Sequence, residues 1–150
     1  MSGCIYIAGQ DVFAPNAREI GERYKAVCQK YGFTGLYPLD NDTTVVSAHD
    51  IFLGNVNRIR RADIVIANLN AFRGDCMDDG TAWEIGFAFG LKKAIYGYTS
   101  DMRSLRERIG VFDGKGYAVE DFNNPVNLMI AESVVTIVQG GFEDCFSWLI

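Results

Sequence analysis

The segment Asp78-Asp79-Gly80-Thr81-Ala82-Trp83-Glu84-Ile85-Gly86 gathers three carboxyl groups in one short stretch. Two carboxyl groups in different surroundings can divide the work of nucleophile and proton donor. Glu84 falls in the first turns of an expected helix otherwise filled by Ala82, Ile85, Gly86, Ala88 and Phe89. A carboxylate near a helix N-terminus is stabilised as the anion, the form a nucleophile needs at neutral pH. Gly80 and Gly86 leave room for a ligand or a second backbone. A plainer arrangement fits the same residues: Asp78 or Asp79 caps the helix, and Glu84 sits on a solvated face. The segment alone does not choose between them.

The elements that must position these groups alternate along the chain. Gly3 to Ala8 reads as a short buried strand broken by Gly9, and Asn16 to Gly32 as a helix with Ile20, Tyr24, Val27, Cys28 and Tyr31 at helical spacing. Tyr37 to Thr44, with Pro38, Asp40, Asn41 and Asp42, reads as an exposed loop near a site. Ala48 to Arg61 is a second helix, with Ile51, Phe52, Asn55 and Ile59 on one side and Arg58, Arg60 and Arg61 on a polar face. Ile64 to Leu69 is a buried strand. A polar loop then leads to the helix Gly80 to Leu91, and Ala94 to Tyr98 is the next strand. Ser100 to Ile109 is expected as helix, Asn124 to Val138 as a helix followed by a short strand, and Phe142 to Leu149 as a last helix. This order predicts one α/β domain over residues 1–150: a doubly wound, mainly parallel sheet with helices on both faces, flavodoxin-like or Rossmann-like. Ligands of such sheets gather beyond the carboxyl ends of the strands, which points to the loops 9–15 and 68–80.

The composition narrows the partners. The chain has 150 residues, 49% of them hydrophobic, enough for one substantial core. A net charge of -5 argues against nucleic acid and anionic membranes. No run reaches the roughly 18 apolar residues of a membrane span, and Met1 to Gly9 lacks the charged start and apolar stretch of a leader. The expectation is a cytoplasmic protein with reduced thiols. Cys4, Cys28, Cys76 and Cys145 are scattered, His49 is the lone histidine, and no metal or cofactor is expected.

From end to end the chain resembles the nucleoside 2-deoxyribosyltransferase family. The resemblance runs through Ile5-Tyr6-Ile7-Ala8-Gly9 with Val12-Phe13, Gly35 to Asp40, Ala62 to Leu69, Phe72-Arg73-Gly74, Asp78 to Gly86, and Asn127-Leu128-Met129. It implies transfer of a 2-deoxyribosyl group between nucleobases through a covalent ester on Glu84. The chemistry follows retaining glycosidases, with a base in place of water. By the same resemblance, Asp78 exchanges a proton with the base nitrogen, Tyr6 orients the nucleophile, and Gly9 and Phe13 flank the base. The plainer alternative for Tyr6 is a core strand residue, and Phe13 either stacks on the base or anchors its loop. Asn127 matches a residue that completes a neighbouring subunit's sugar site, which implies a homo-oligomer. Asn55 stands where some members carry a second aspartate near the base. An amide can hydrogen-bond a base edge but cannot take its proton.

Two other readings compete. A 2'-deoxynucleoside 5'-monophosphate N-glycosidase would use the same Glu84 with water as acceptor and needs a phosphate cradle. The loop Gly9 to Pro15 offers no serine or arginine for one, and Asp11 would repel the phosphate. A non-catalytic nucleotide-binding module would need a glycine-rich fingerprint after the first strand, which the sequence lacks. The aromatic segment of Phe142, Phe146 and Trp148 is either an interface or a cover for the sheet.

Overall fold

A computed structural model describes residues 3–40 and 47–150. Five strands, β1 (Cys4–Ala8), β2 (Thr34–Leu36), β3 (Ile64–Asn68), β4 (Ala94–Thr99) and β5 (Thr136–Gln139), form one sheet in the order β2-β1-β3-β4-β5. Every pairing is parallel. The helices are α1 (Ala17–Lys30), α2 (Ala48–Arg61), α3 (Asp79–Gly90), α4 (Leu105–Ile109) and α5 (Leu128–Ala131), with 3-10 turns at Gln10–Phe13 and Phe142–Trp148. The predicted doubly wound architecture is therefore the one observed.

Strand alternation splits the core in two. Tyr6, Ala8, Val65, Ala67 and Ile95 face α2 and α3, where they pack on Ile59, Ile85 and Ala88. Ile5, Ile7, Ile66 and Tyr98 face the other way, onto Cys28 of α1 and onto Phe142, Cys145 and Phe146. Burial also sorts the thiols: Cys28 and Cys145 are buried, Cys4 is intermediate and Cys76 is exposed.

Several boundaries differ from the sequence expectation. The edge strand β2 was not expected at all. Its three residues, Thr-Gly-Leu, are too few to display a period. Helix α4 begins only after Ser104, whose hydroxyl accepts the Glu107 N–H while the Glu107 carboxylate accepts the Ser104 N–H. The helix expected from Asn124 is confined to Leu128–Ala131, because Pro125 keeps Asn124 out of helical backbone. The stretch from Phe142 is a 3-10 helix that covers the sheet. Phe142 and Phe146 are core, stacking on Tyr24 and Tyr31, so neither supplies an exposed interface, whereas Trp148 stays 58% exposed. Of the loop expected to be exposed, Tyr37 and Pro38 are buried, and residues 41–44 lie outside the described ones. The Tyr37 ring lies directly on Gly21 of α1, where a Cβ would collide with it.

Candidate functional site

The sheet order reverses between β1 and β3, and the loops leaving these two strands diverge there to open a crevice. Gly9, at the end of β1, packs so closely on Asn68 at the end of β3 that a Cβ would lie 2.8 Å from the asparagine Cβ. The chain then turns through Gln10–Phe13 and carries Val12 and Phe13 to the rim. The resulting cavity, about 520 Å³, is closed below by α3 and on one side by α2, which contributes Ile51, Phe52 and Asn55.

Asp78 is only 7% exposed and caps α3: its Oδ2 accepts the Thr81 N–H at 2.9 Å and the Thr81 hydroxyl at 2.8 Å. It lines the cavity as well. The helix cap and a cavity-lining carboxyl are thus one side chain. Glu84, half-buried in the second turn of α3, also lines the cavity. Tyr6, fully buried in β1, reaches across the sheet face and donates a short hydrogen bond to Glu84 Oε2. Tyr6 is therefore a core residue and a partner of Glu84 at once, and Glu84 is not a solvated face residue.

The charge state of Glu84 differs from the sequence expectation. Burial raises its carboxyl to about 7; the Tyr6 hydrogen bond lowers it in part, and the charge of Asp78 raises it again. The helix field fades within the first turn and does not offset the loss of water. The hydroxyl of Tyr6 is pushed well above its ordinary value, first by burial and then by the neighbouring Glu84. Tyr6 stays a donor throughout the physiological range.

Five expected residues, Gly9, Phe13, Asn55, Asp78 and Glu84, line the same cavity, and Tyr6 lies beneath it. Phe13 is 57% exposed and stacks on Phe72, with the Arg73 guanidinium over both rings, so it is a rim residue and not a core anchor. Asn127 is not brought to the cavity within the chain. It caps α5 through the Met129 N–H, and its amide donates to Glu120 at 2.6 Å. Asp11 does not line the cavity either: its carboxylate accepts from the Asn68 amide at 3.1 Å. Repulsion of a phosphate by a cavity-facing Asp11 therefore drops out of the argument.

Sequence reasoning assigned no role to Trp83, Leu39 or Val12, which complete the apolar wall. A signal was present for Trp83, since a large aromatic placed off the core face of α3 has few other uses. Arg58, expected on a solvated face, is partly buried. It donates to Asn55 Oδ1 at 3.1 Å and to the Asp40 carbonyl. Among the described residues, no cluster of three or more His, Cys, Asp or Glu could hold a metal ion, and no helix is long and apolar enough to cross a membrane.

The family model described as nucleoside 2-deoxyribosyltransferase matches residues 5–129. The chain belongs to that family. Among solved structures, this nucleoside 2-deoxyribosyltransferase family member is similar to the 2-desoxiribosyltransferase from Leishmania mexicana. That likeness has 33% identity and a TM-score of 0.88, over 98% of this chain and 96% of that one. The 2-deoxyribosyltransferase of the psychrotolerant bacterium Bacillus psychrosaccharolyticus shares the fold, with a TM-score of 0.62 at 22% identity over 91% of this chain and 86% of that one. An uncharacterized protein of Schizosaccharomyces pombe, C191.05c, is 32% identical over 114 residues, which is 71% of this chain. The chain spans about half the length of that curated relative, 54%.

Proposed function

We propose that this family member is a nucleoside 2-deoxyribosyltransferase working by double displacement through Glu84. The observation that carries the reading is the pairing of Glu84 with the buried Tyr6 hydroxyl in a cavity that also holds Asp78. A Glu84 oxygen attacks C1' of a 2'-deoxynucleoside. The C1'–N bond breaks, its electron pair leaves with the base, and Asp78 delivers a proton to the base nitrogen. An incoming base then attacks C1' and breaks the ester bond. The Glu84 carboxylate is restored, and Asp78 takes the proton from the new nucleobase. Two inversions give net retention. The reaction needs Glu84 ionised and the proton on Asp78. Tyr6 supports the first condition by donating to the carboxylate, and Phe13 and Phe52 offer flat apolar walls to the base.

The hydrolase reading has less support. No lysine, arginine or serine side chain is among the described residues lining the cavity, so no side chain of those types there meets a 5'-phosphate. Incubation of the protein with thymidine plus adenine, and with deoxyinosine plus guanine, tests the proposal. Deoxyadenosine or deoxyguanosine marks transfer, free deoxyribose marks a glycosidase, and no product marks a binding module.

The proposed setting is cytoplasmic deoxyribonucleoside salvage by a homo-oligomer in which Asn127 serves a neighbour's site. In its support, Asn127 is exposed, Met129 beside it is 69% exposed, and Phe89, Phe122 and Val135 add further exposed apolar surface. Mixing inactive Glu84→Ala and Asn127→Ala proteins under subunit exchange should restore activity in hybrid sites. An active monomer at micromolar concentration would remove the shared site.

A further inference from the structure

Among the described residues, three side chains with carboxyl or amide groups line the cavity: Glu84, Asp78 and Asn55. The reaction proposed above commits the first two to the anomeric carbon and the base nitrogen. Asn55 is left to meet the remaining edge of the base. Its orientation is not free. Arg58, one turn further along α2, donates Nη1–H to Asn55 Oδ1 at 3.1 Å while Nη2 donates to the Asp40 carbonyl. A guanidinium has no acceptor, so the asparagine atom facing it must be the oxygen. Asp40 is itself held, because its carboxylate accepts from Lys25 Nζ and from the Tyr37 N–H, both at 2.8 Å. The amide is thus locked with Nδ2 as its free end, and Nδ2 has no protein acceptor among the described residues.

We infer that Asn55, fixed by Arg58, selects bases with a carbonyl oxygen on this edge (6-oxopurines and 4-oxopyrimidines) over their amino counterparts. The inference rests on the deoxyribosyl transfer proposed above. Guanine and thymine present O6 or O4 acceptors there, whereas adenine and cytosine present amino donors. Nδ2 as a donor pairs with O6 or O4, whereas the amino group of adenine or cytosine meets a second donor there. The same contact assists departure, because the electron pair released from C1' spreads onto O6 or O4, where an N–H polarised by the guanidinium stabilises it.

Competition between equal hypoxanthine and adenine for the deoxyribosyl group of deoxyguanosine reads the preference directly, as the initial ratio of deoxyinosine to deoxyadenosine. The wild-type protein should favour hypoxanthine by about tenfold, the scale of one hydrogen bond. Asn55→Asp presents only acceptors and should move the ratio towards adenine, and Asn55→Ala should bring it near one. Arg58→Leu frees the amide to turn and should also flatten the ratio, which general damage to the fold would not do. Transfer with a wild-type ratio of one or below, or a ratio unmoved by Asn55→Asp and Asn55→Ala, overturns the inference. No product from either base instead removes the transferase reading on which it depends.

Discussion

The two faces of the sheet are built from similar materials and put to different ends. Each buries a tyrosine whose hydroxyl needs a partner. On the α1 face, Tyr37 donates to the Ala17 carbonyl at 3.1 Å, inside an aromatic core closed by Phe142 and Phe146. On the α3 face, Tyr6 donates to a carboxylate that burial holds partly protonated at neutral pH. The first bond satisfies a polar group and does nothing more. The second ties the strand to a group whose charge changes near pH 7. Comparable burial therefore gives a neutral acceptor on one face and a titratable one on the other, and the difference lies in what the hydroxyl touches.

The sharpest break in this comparison comes from Glu84. Replacement by Gln should lower transfer by about 10⁴-fold or more, as losing a covalent nucleophile does. The same change should stabilise the fold. With the carboxyl at about 7 in the folded protein against an ordinary 4.5, the native state holds the extra proton between those values. Wild-type stability therefore falls as pH rises through that window. Glu84→Gln escapes this loss, so its advantage should grow from nothing near pH 4.5 to at most about 3 kcal/mol above pH 7. Denaturant melts at pH 5 and pH 8 measure it; equal stability of the two proteins at pH 8 would contradict the assigned burial cost.

Asp78→Asn should slow turnover by roughly 100-fold, and less for substrates whose leaving base needs no proton. Asparagine caps helices as well as aspartate does, so stability should hardly change. An equal loss on activated substrates would reduce Asp78 to its capping role. The smallest effects come from the tyrosines themselves. Tyr6→Phe removes the bond that lowers the Glu84 carboxyl, so the acid limb of the kcat/KM profile should move to higher pH. At pH 7 the rate should fall about tenfold, the scale of one hydrogen bond. Tyr37→Phe should cost about 1 kcal/mol of stability and leave the pH profile in place. A shifted profile in Tyr37→Phe would erase the distinction between the faces.

Much of this was legible in the residues because the period was long or the strand fully apolar. Ile64 to Leu69 and the α1 stripe through Tyr24, Val27 and Cys28 left little choice. Short elements were not legible: β2 carries three residues and α5 four, and their stability comes from neighbours distant in sequence. The carboxyl-bearing segment was readable as a site by resemblance, and Gly9, Phe13, Asn55, Asp78 and Glu84 do meet in one cavity. The charge of Glu84 was not readable, because desolvation depends on β1 and on the cavity wall, which local sequence does not contain. The lock on Asn55 was hidden for the same reason: Arg58 looked like one of three surface arginines until Asp40 was placed beside it.

The unequal burial of the thiols gives the molecule a built-in address for a spectroscopic label. Cys28 and Cys145 are pushed up to about 12 by burial, so about one molecule in 10⁵ carries a thiolate on either at neutral pH. Cys76 stands exposed in the loop two residues before Asp78, beside Phe72 and Arg73, which frame the Phe13 rim. With Cys4 replaced by alanine, a thiol-reactive fluorophore would settle on Cys76 alone, and its emission would follow bases entering and leaving the cavity in real time.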